Sequence, residues 1–175
     1  MIWVAALIAL VAMQRISEVW IAQRNTRMLI ALGAKEFGAG HYPFIIAMHT
    51  LWLIAIVAFM PRPVTWNLGL LTAFIALEIA RIWVMTSLGP YFTTRIISLD
   101  NAPLVRHGPY RFMRHPNYAI VVGEIAILPL IFGEIGVAVI FSIVNACLLT
   151  WRIRIEDRAL LARRRVAQTG EATVL

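Results

Sequence analysis

From Tyr42 to Met60 the chain runs nineteen residues without one Asp, Glu, Lys or Arg. As a helix rising about 1.5 Å per residue, such a stretch crosses most of a bilayer core about 30 Å thick. Further apolar runs cover about 2–22, 66–88, 119–132 and 135–151. Backbone groups in hydrocarbon find no water, so runs of this kind must be helical. The sequence therefore predicts an all-α integral membrane bundle of five transmembrane helices in a single domain, 1–175. Only Gly133-Glu134 separates the last two runs, which makes them a tight antiparallel hairpin. Composition agrees: 61% of residues are hydrophobic, against about 45–50% in a soluble domain.

Pro43 opens the second run, and Pro61-Arg62-Pro63 ends it because proline cannot continue a helix. The fourth run is short and carries Pro129 near its end, so it is expected to tilt or to stop short of the far leaflet. Met1-Ile-Trp-Val lacks a basic leader segment, and the first run reads as a span rather than a removable signal. Residues 23–41 are expected to form an interfacial loop with a short amphipathic piece at 28–32. A connection covers 89–118, and a basic tail, 152–175, should begin helical and fray from Gln168. The net charge of +7 comes from 15 Arg and one Lys against nine acids, concentrated in these three segments. Positive charge favours the cytosolic side, which puts the N-terminus outside and the C-terminus in the cytosol. In so apolar a chain the basic balance speaks for membrane lipids as partners and against nucleic acid. Cys147 stands alone, which excludes an internal disulfide and a cysteine metal cage.

Four charges fall inside predicted spans: Arg15, Glu18, Glu78 and Arg81. Each costs about 2.5–3.5 kcal/mol at a bilayer centre unless it finds a partner or a watery cavity. Arg15 and Arg81 lie roughly 10 Å below the interface on their helices. They could belong to an ion-pair network that holds the bundle, or to the inner wall of an active site. Glu124 in the fourth run has no nearby partner in sequence and gains no role. His41 and His49 are eight residues apart, about two turns and some 80° round a helix, so they do not share a metal ion. His41 suits a cavity wall or a proton acceptor, and His49 an interhelical donor.

The run His107-Gly-Pro-Tyr-Arg-Phe-Met-Arg-His115-Pro116-Asn-Tyr118 stands between apolar segments, and Arg152-Ile-Arg-Ile-Glu156-Asp157 follows the last of them. Pro116 suits the first position of a helix, whose free N–H groups attract anionic oxygens. Glu156 and Asp157 offer acceptors for hydroxyls or an ammonium. Arg152, four residues before Glu156, is placed to hold it. Together they suit a ligand with a carboxylate, an amine and a ribose diol.

Gly108-Pro-Tyr-Arg-x-x-Arg-His115-Pro116-x-Tyr118, followed past a hairpin by Arg152-x-x-x-Glu156-Asp157-x-x-Leu160, resembles the signature of the isoprenylcysteine carboxyl methyltransferase family. The N-terminal residues Arg15-Ile-Ser-Glu18, Arg24-Asn25 and Gly33-Ala-x-Glu36-x-Gly38-x-x-His41-Tyr42-Pro43 are similar to a bacterial branch that methylates phenolic lipids or alkylpyrones. The resemblance implies five helices in a plasma membrane, with S-adenosylmethionine held between the last hairpin and the motif loop. His115, Pro116, Tyr118 and Tyr110 would then contact the cofactor, Arg152, Glu156 and Asp157 would close over it, and a lipid-like substrate would enter from the bilayer. The chain departs from the pattern at Ile120, where a glycine is frequent, and at Asp157, where a second glutamate is frequent.

Methyl transfer from a sulfonium to an oxyanion destroys two opposite charges, so a dry site with aligned reactants favours it and no metal is required. A carboxylate or acidic enol is already ionised. A phenol needs a base, for which His41 or Glu78 is the candidate, while Arg81 or Arg111 could steady the acceptor oxygen. The sequence thus points to an S-adenosylmethionine-dependent O-methyltransferase of an alkylpyrone or phenolic lipid, or of an isoprenylcysteine carboxylate. The alternatives are an NADPH-dependent membrane reductase, with Arg163 to Arg165 at a 2′-phosphate, and a non-catalytic scaffold on anionic lipid.

Overall fold

A computed structural model describes residues 2–99 and 105–169, the last ten of them as backbone only. Five helices carry the fold: α1 (Ile2–Ala31), α2 (Tyr42–Ala58), α3 (Leu68–Leu88), α4 (Pro116–Ile131) and α5 (Ile135–Thr169). Four are long and apolar enough to cross a membrane, and α4 is the exception. Its sixteen residues reach about 24 Å, short of a core of about 30 Å. It lies between α3 and α5 and turns Ile120, Val121, Glu124, Ile125 and Leu128 inward. Gly123 lets it approach α3 closely, since a Cβ there would come 2.8 Å from the Leu77 side chain.

Two helices outrun their apolar stretches. α1 continues nine residues past Ala22, and the region expected as an interfacial loop begins only at Leu32. The helical period explains this: Glu18, Ala22, Thr26 and Leu29 are buried at steps of three and four, while Arg24 and Arg27 face outward. α5 likewise continues eighteen residues beyond Trp151. α4 starts at Pro116, the first helical position expected for it, so the helix begins three residues ahead of its apolar run.

Two short strands, β1 (Lys35–Phe37) and β2 (Ile96–Ser98), add an element absent from the all-helical expectation. They pair antiparallel with Glu36 opposite Ile97. Arg95 binds both oxygens of Glu36 at 3.0 Å and lies over the Tyr42 ring, and the Tyr42 hydroxyl meets Thr94 at 3.0 Å. The ribbon therefore ties the segment before α2 to the segment after α3.

The apolar core fills the end of the bundle near the Gly133-Glu134 turn, where Val4, Ile8 and Val11 meet Trp52, Ile56, Phe74, Ile125, Leu128 and Phe132. Ile16, Ile79 and Ile140 point outward and are mostly exposed, as lipid-facing side chains are. The opposite end holds the ribbon, the motif loop and nearly all of the polar contacts between elements.

Candidate cofactor site

The motif loop is seated on the end of α3. Gly108 has φ +58, in the left-handed region that glycine tolerates, and a Cβ there would run into Ser87 and lie 3.4 Å from the Trp83 indole nitrogen. A 3-10 turn, Gly108–Arg111, follows and buries Pro109. Burial, and secondarily the negative charge of Glu156, pushes the Tyr110 hydroxyl well above its usual range, so it remains a proton donor. His115 then caps α4, its carbonyl taking the N–H groups of Tyr118 and Ala119 at 3.1 and 3.3 Å.

Four segments meet around Tyr118. Its ring stacks on His115 with centroids 5.2 Å apart and planes 10° from parallel. Its hydroxyl donates to the Glu156 carboxylate and accepts from Arg152 Nε at 2.7 Å. The buried Arg152 guanidinium extends a second nitrogen to His41 Nε2 at 3.3 Å. On the other side of the stack, His115 Nδ1 is 3.6 Å from Glu156 and Nε2 is 3.6 Å from Asp157. The sequence expectation had Arg152 gripping Glu156 directly along one helix face. Instead Tyr118 stands between them, because Arg152 Nε is turned across to α4.

Acceptor groups predominate here, with the Glu156 and Asp157 carboxylates each 3.6 Å from His115. Asn117, between Pro116 and Tyr118 in the chain, keeps a buried amide oxygen that has no hydrogen-bond partner among the described residues. That is an acceptor group suited to an amine or a hydroxyl. Nothing in the sequence singled Asn117 out, though its place between Pro116 and Tyr118 in the first turn of α4 would have justified it. Arg111, a candidate for steadying the acceptor oxygen, instead lies over the exposed Phe112 ring at 4.3 Å. No group of three metal-ligating side chains occurs among the described residues. The side chains of Arg163 to Arg165 and Leu160 lie outside the described residues.

A second polar layer lies six residues further along α4 from Tyr118, about 9 Å deeper. Arg81 uses its whole guanidinium there: Nε donates to Glu124 at 2.7 Å, one terminal nitrogen also meets Glu124, and the other reaches Glu18 at 3.2 Å. Arg15 binds Glu18 at 3.0 Å and Glu124 at 2.7 Å, and Glu78 takes the Gln14 amide with Arg15 3.8 Å away. Of the two readings open for these charges, the geometry favours the ion-pair network, since all three Arg81 nitrogens are turned to Glu124 and Glu18. Glu124, without a role in the sequence, is the hub of that network. The signal was available: two arginines and three glutamates fall in spans, and an unassigned buried acid calls for a cation. His49, expected to bond between helices, instead places Nδ1 2.9 Å from the carbonyl of Ile45 one turn back in its own helix.

Residues 69–162, more than half of the chain, match the isoprenylcysteine carboxyl methyltransferase (ICMT) family. The chain belongs to that family and is an integral membrane protein of the methyltransferase class, whose members take the methyl group from S-adenosylmethionine. It is also 41% identical over 164 residues to the "Uncharacterized protein YpbQ" of Bacillus subtilis (strain 168), covering 91% of this chain and 96% of that protein. No solved structure matches.

Proposed function

We propose that the protein is an S-adenosylmethionine-dependent O-methyltransferase that works at the cytosolic face of a bacterial plasma membrane on a lipid-like acceptor. The observation that carries this is the linked set His115, Tyr118, Arg152 and Glu156, which joins both halves of the family motif around one aromatic stack.

The bound cofactor supplies an electrophilic methyl group on a cationic sulfur. The chain supplies the rest. Glu156, Asp157 and the free Asn117 oxygen would take the amine and the sugar hydroxyls, while the first turn of α4 attracts a carboxylate. The parallel His115 and Tyr118 rings offer a flat surface to a nucleobase. Arg152 keeps Tyr118, and through it Glu156, in one place. Exclusion of water favours the reaction because opposite charges disappear as the methyl group moves.

Basicity bears on the acceptor. Tyr110 stays protonated, Glu78 is engaged with Gln14 and Arg15 in the deeper layer, and all three Arg81 nitrogens are turned to carboxylates there. An acceptor already ionised, such as the acidic enol of an alkylpyrone or a carboxylate, suits these residues better than a phenol. The test is a pair of measurements. His115→Ala and Glu156→Ala should abolish calorimetric binding of S-adenosylhomocysteine while the protein remains folded in the membrane, and unchanged affinity would refute the site. Labelled S-adenosylmethionine added to membranes should mark a pyrone-lipid fraction; label confined to prenylcysteine would overturn the acceptor assignment.

A further inference from the structure

His41 lies outside the segment that matches the family, at the end of the 3-10 turn Ala39–His41 just before α2. It is 2% exposed, and the Trp151 ring meets its imidazole edge-on at 5.9 Å. An arginine does not give up its proton, so in the 3.3 Å contact Arg152 donates and His41 Nε2 accepts. The imidazole is then neutral with its proton on Nδ1. Such a ring has no lone pair left to receive a substrate proton, which removes His41 as a general base in this arrangement.

The chain of contacts has one consistent direction. His41 accepts from Arg152, Arg152 donates to the Tyr118 oxygen, and the Tyr118 hydroxyl donates to Glu156. Both ends of the Arg152 fork are therefore specified, one by α4 and the other by the turn that precedes α2. The turn itself is pressed onto α5. Gly38, at φ +63, leaves no space for a side chain: a Cβ there would stand 2.7 and 2.9 Å from Ile155 carbons and 3.1 Å from His41 Nδ1. The ribbon pair Glu36–Arg95 anchors the same segment from the other side.

We infer that His41 is a positioning residue for the cofactor clamp, acting through Arg152 and not on the methyl acceptor. The inference rests on the methyltransferase reading above and assigns to the N-terminal segment a role in cofactor affinity. His41 fixes one arm of the guanidinium, which fixes the other arm on Tyr118 and so the Glu156 carboxylate. Glutamine can accept from Arg152 through its amide oxygen, whereas leucine keeps the bulk and removes the acceptor.

The experiment titrates S-adenosylhomocysteine into the full-length protein in detergent by calorimetry, for the wild type, His41→Leu and His41→Gln, with thermal melting of each unliganded protein alongside. A hydrogen bond to a charged group predicts a loss of about 10-fold or more for His41→Leu. His41→Gln should stay within about 3-fold of wild type. A wild-type protein that does not bind overturns the cofactor reading and this inference with it. A wild type that binds, with His41→Leu binding equally well, overturns the role of His41 alone. Should His41→Leu not fold, His41→Gln decides by itself: retained affinity supports an acceptor at this position, and a loss of about 10-fold excludes it. Turnover of labelled cofactor by membranes gives the second discrimination, since a positioning residue raises KM for the cofactor and leaves kcat in His41→Gln largely intact. A collapse of kcat at unchanged affinity would make His41 the base and refute the inference.

Discussion

Glu124→Gln isolates the deeper polar layer with the least change of shape. The carboxylate is 2% exposed and receives Arg81 through two nitrogens and Arg15 through one at 2.7 Å. The amide keeps the volume but loses the charge and presents donors to a guanidinium that is itself 3% exposed. Breaking a buried ion pair from one side costs about 3–5 kcal/mol in soluble proteins. Two effects reduce that figure here. Glu18 still reaches both arginines, and side-chain couplings inside membranes average well under the soluble values, about 0.6 and at most about 1.7 kcal/mol. A loss of about 2–3 kcal/mol follows, which for a chain of this size lowers the melting temperature by roughly 4–12 °C. Thermal unfolding in detergent, followed by tryptophan fluorescence, reads this directly. Binding of S-adenosylhomocysteine at a temperature where both proteins are folded should differ little, because the layer lies below the clamp. Replacing Arg81 and Glu124 together by methionine and leucine should restore much of the loss, since an apolar pair of similar volume leaves no lone charge. A melting temperature for Glu124→Gln within about 2 °C of wild type would refute the account of Glu124 as the hub.

Two further outcomes follow from the loops. Gly108→Ala places a Cβ against Ser87 in a left-handed conformation, at a cost of about 1–2 kcal/mol for the backbone alone. The turn must lift from α3, so S-adenosylhomocysteine affinity should drop by about 10-fold or more; unchanged affinity would mean that the loop is not seated where the site requires it. Glu134, in the turn between α4 and α5, is buried with neither carboxylate oxygen hydrogen-bonded among the described residues, and burial pushes its carboxyl up to about 7 from an ordinary 4.5. The folded protein thus holds this proton more tightly than the unfolded chain does. Its contribution to stability is complete below about pH 4.5 and is lost as pH rises through 7. Glu134→Gln should melt higher than wild type at pH 8 and show a flatter dependence between pH 5 and 8, in melts run across that range; identical curves would refute the assignment.

Apolar length located all five helices, because hydrocarbon tolerates no other backbone, yet it misplaced the end of α1. Beyond Ala22 the stabilising pattern changes from all-round apolarity to one buried stripe with Arg24 and Arg27 outside, and apolar length does not measure a stripe. The clamp residues were legible as residue types at set separations: His115, Tyr118, Arg152 and Glu156 fall together in space. Their connectivity was not. An i,i+4 rule treats one helix at a time, so it joined Arg152 to Glu156 and could not know that α4 would place a phenol between them. Glu124 stayed unassigned for the same reason, since its partners come from α1 and α3, 109 and 43 residues away in sequence. The β ribbon escaped notice because three-residue strands carry too little alternation to read.

The deeper layer also explains how a first helix with so few apolar anchors keeps its place. α1 contributes Val4, Ile8 and Val11 to the core, but from Gln14 onward its inward residues are mostly polar or small: Glu18, Ala22 and Thr26. In lipid, apolar surface gives little preference for helix over acyl chain, so attachment must come from close packing and from polar contacts. Gln14 and Arg15 reach Glu78, Arg15 reaches Glu124, and Glu18 takes Arg81. Two turns beyond Glu18, Asn25 donates to the carbonyls of Gly89 and Phe92 at 3.2 and 2.9 Å. Those carbonyls begin the connection that leads through β2 to the motif loop. α1 is thus pinned in depth by the charge cluster and in turn holds the root of the segment that delivers His115 and Tyr118. The charges that sequence alone leaves open between a holding network and an active-site wall lie one layer below the His115–Tyr118 stack and support the segment that delivers it.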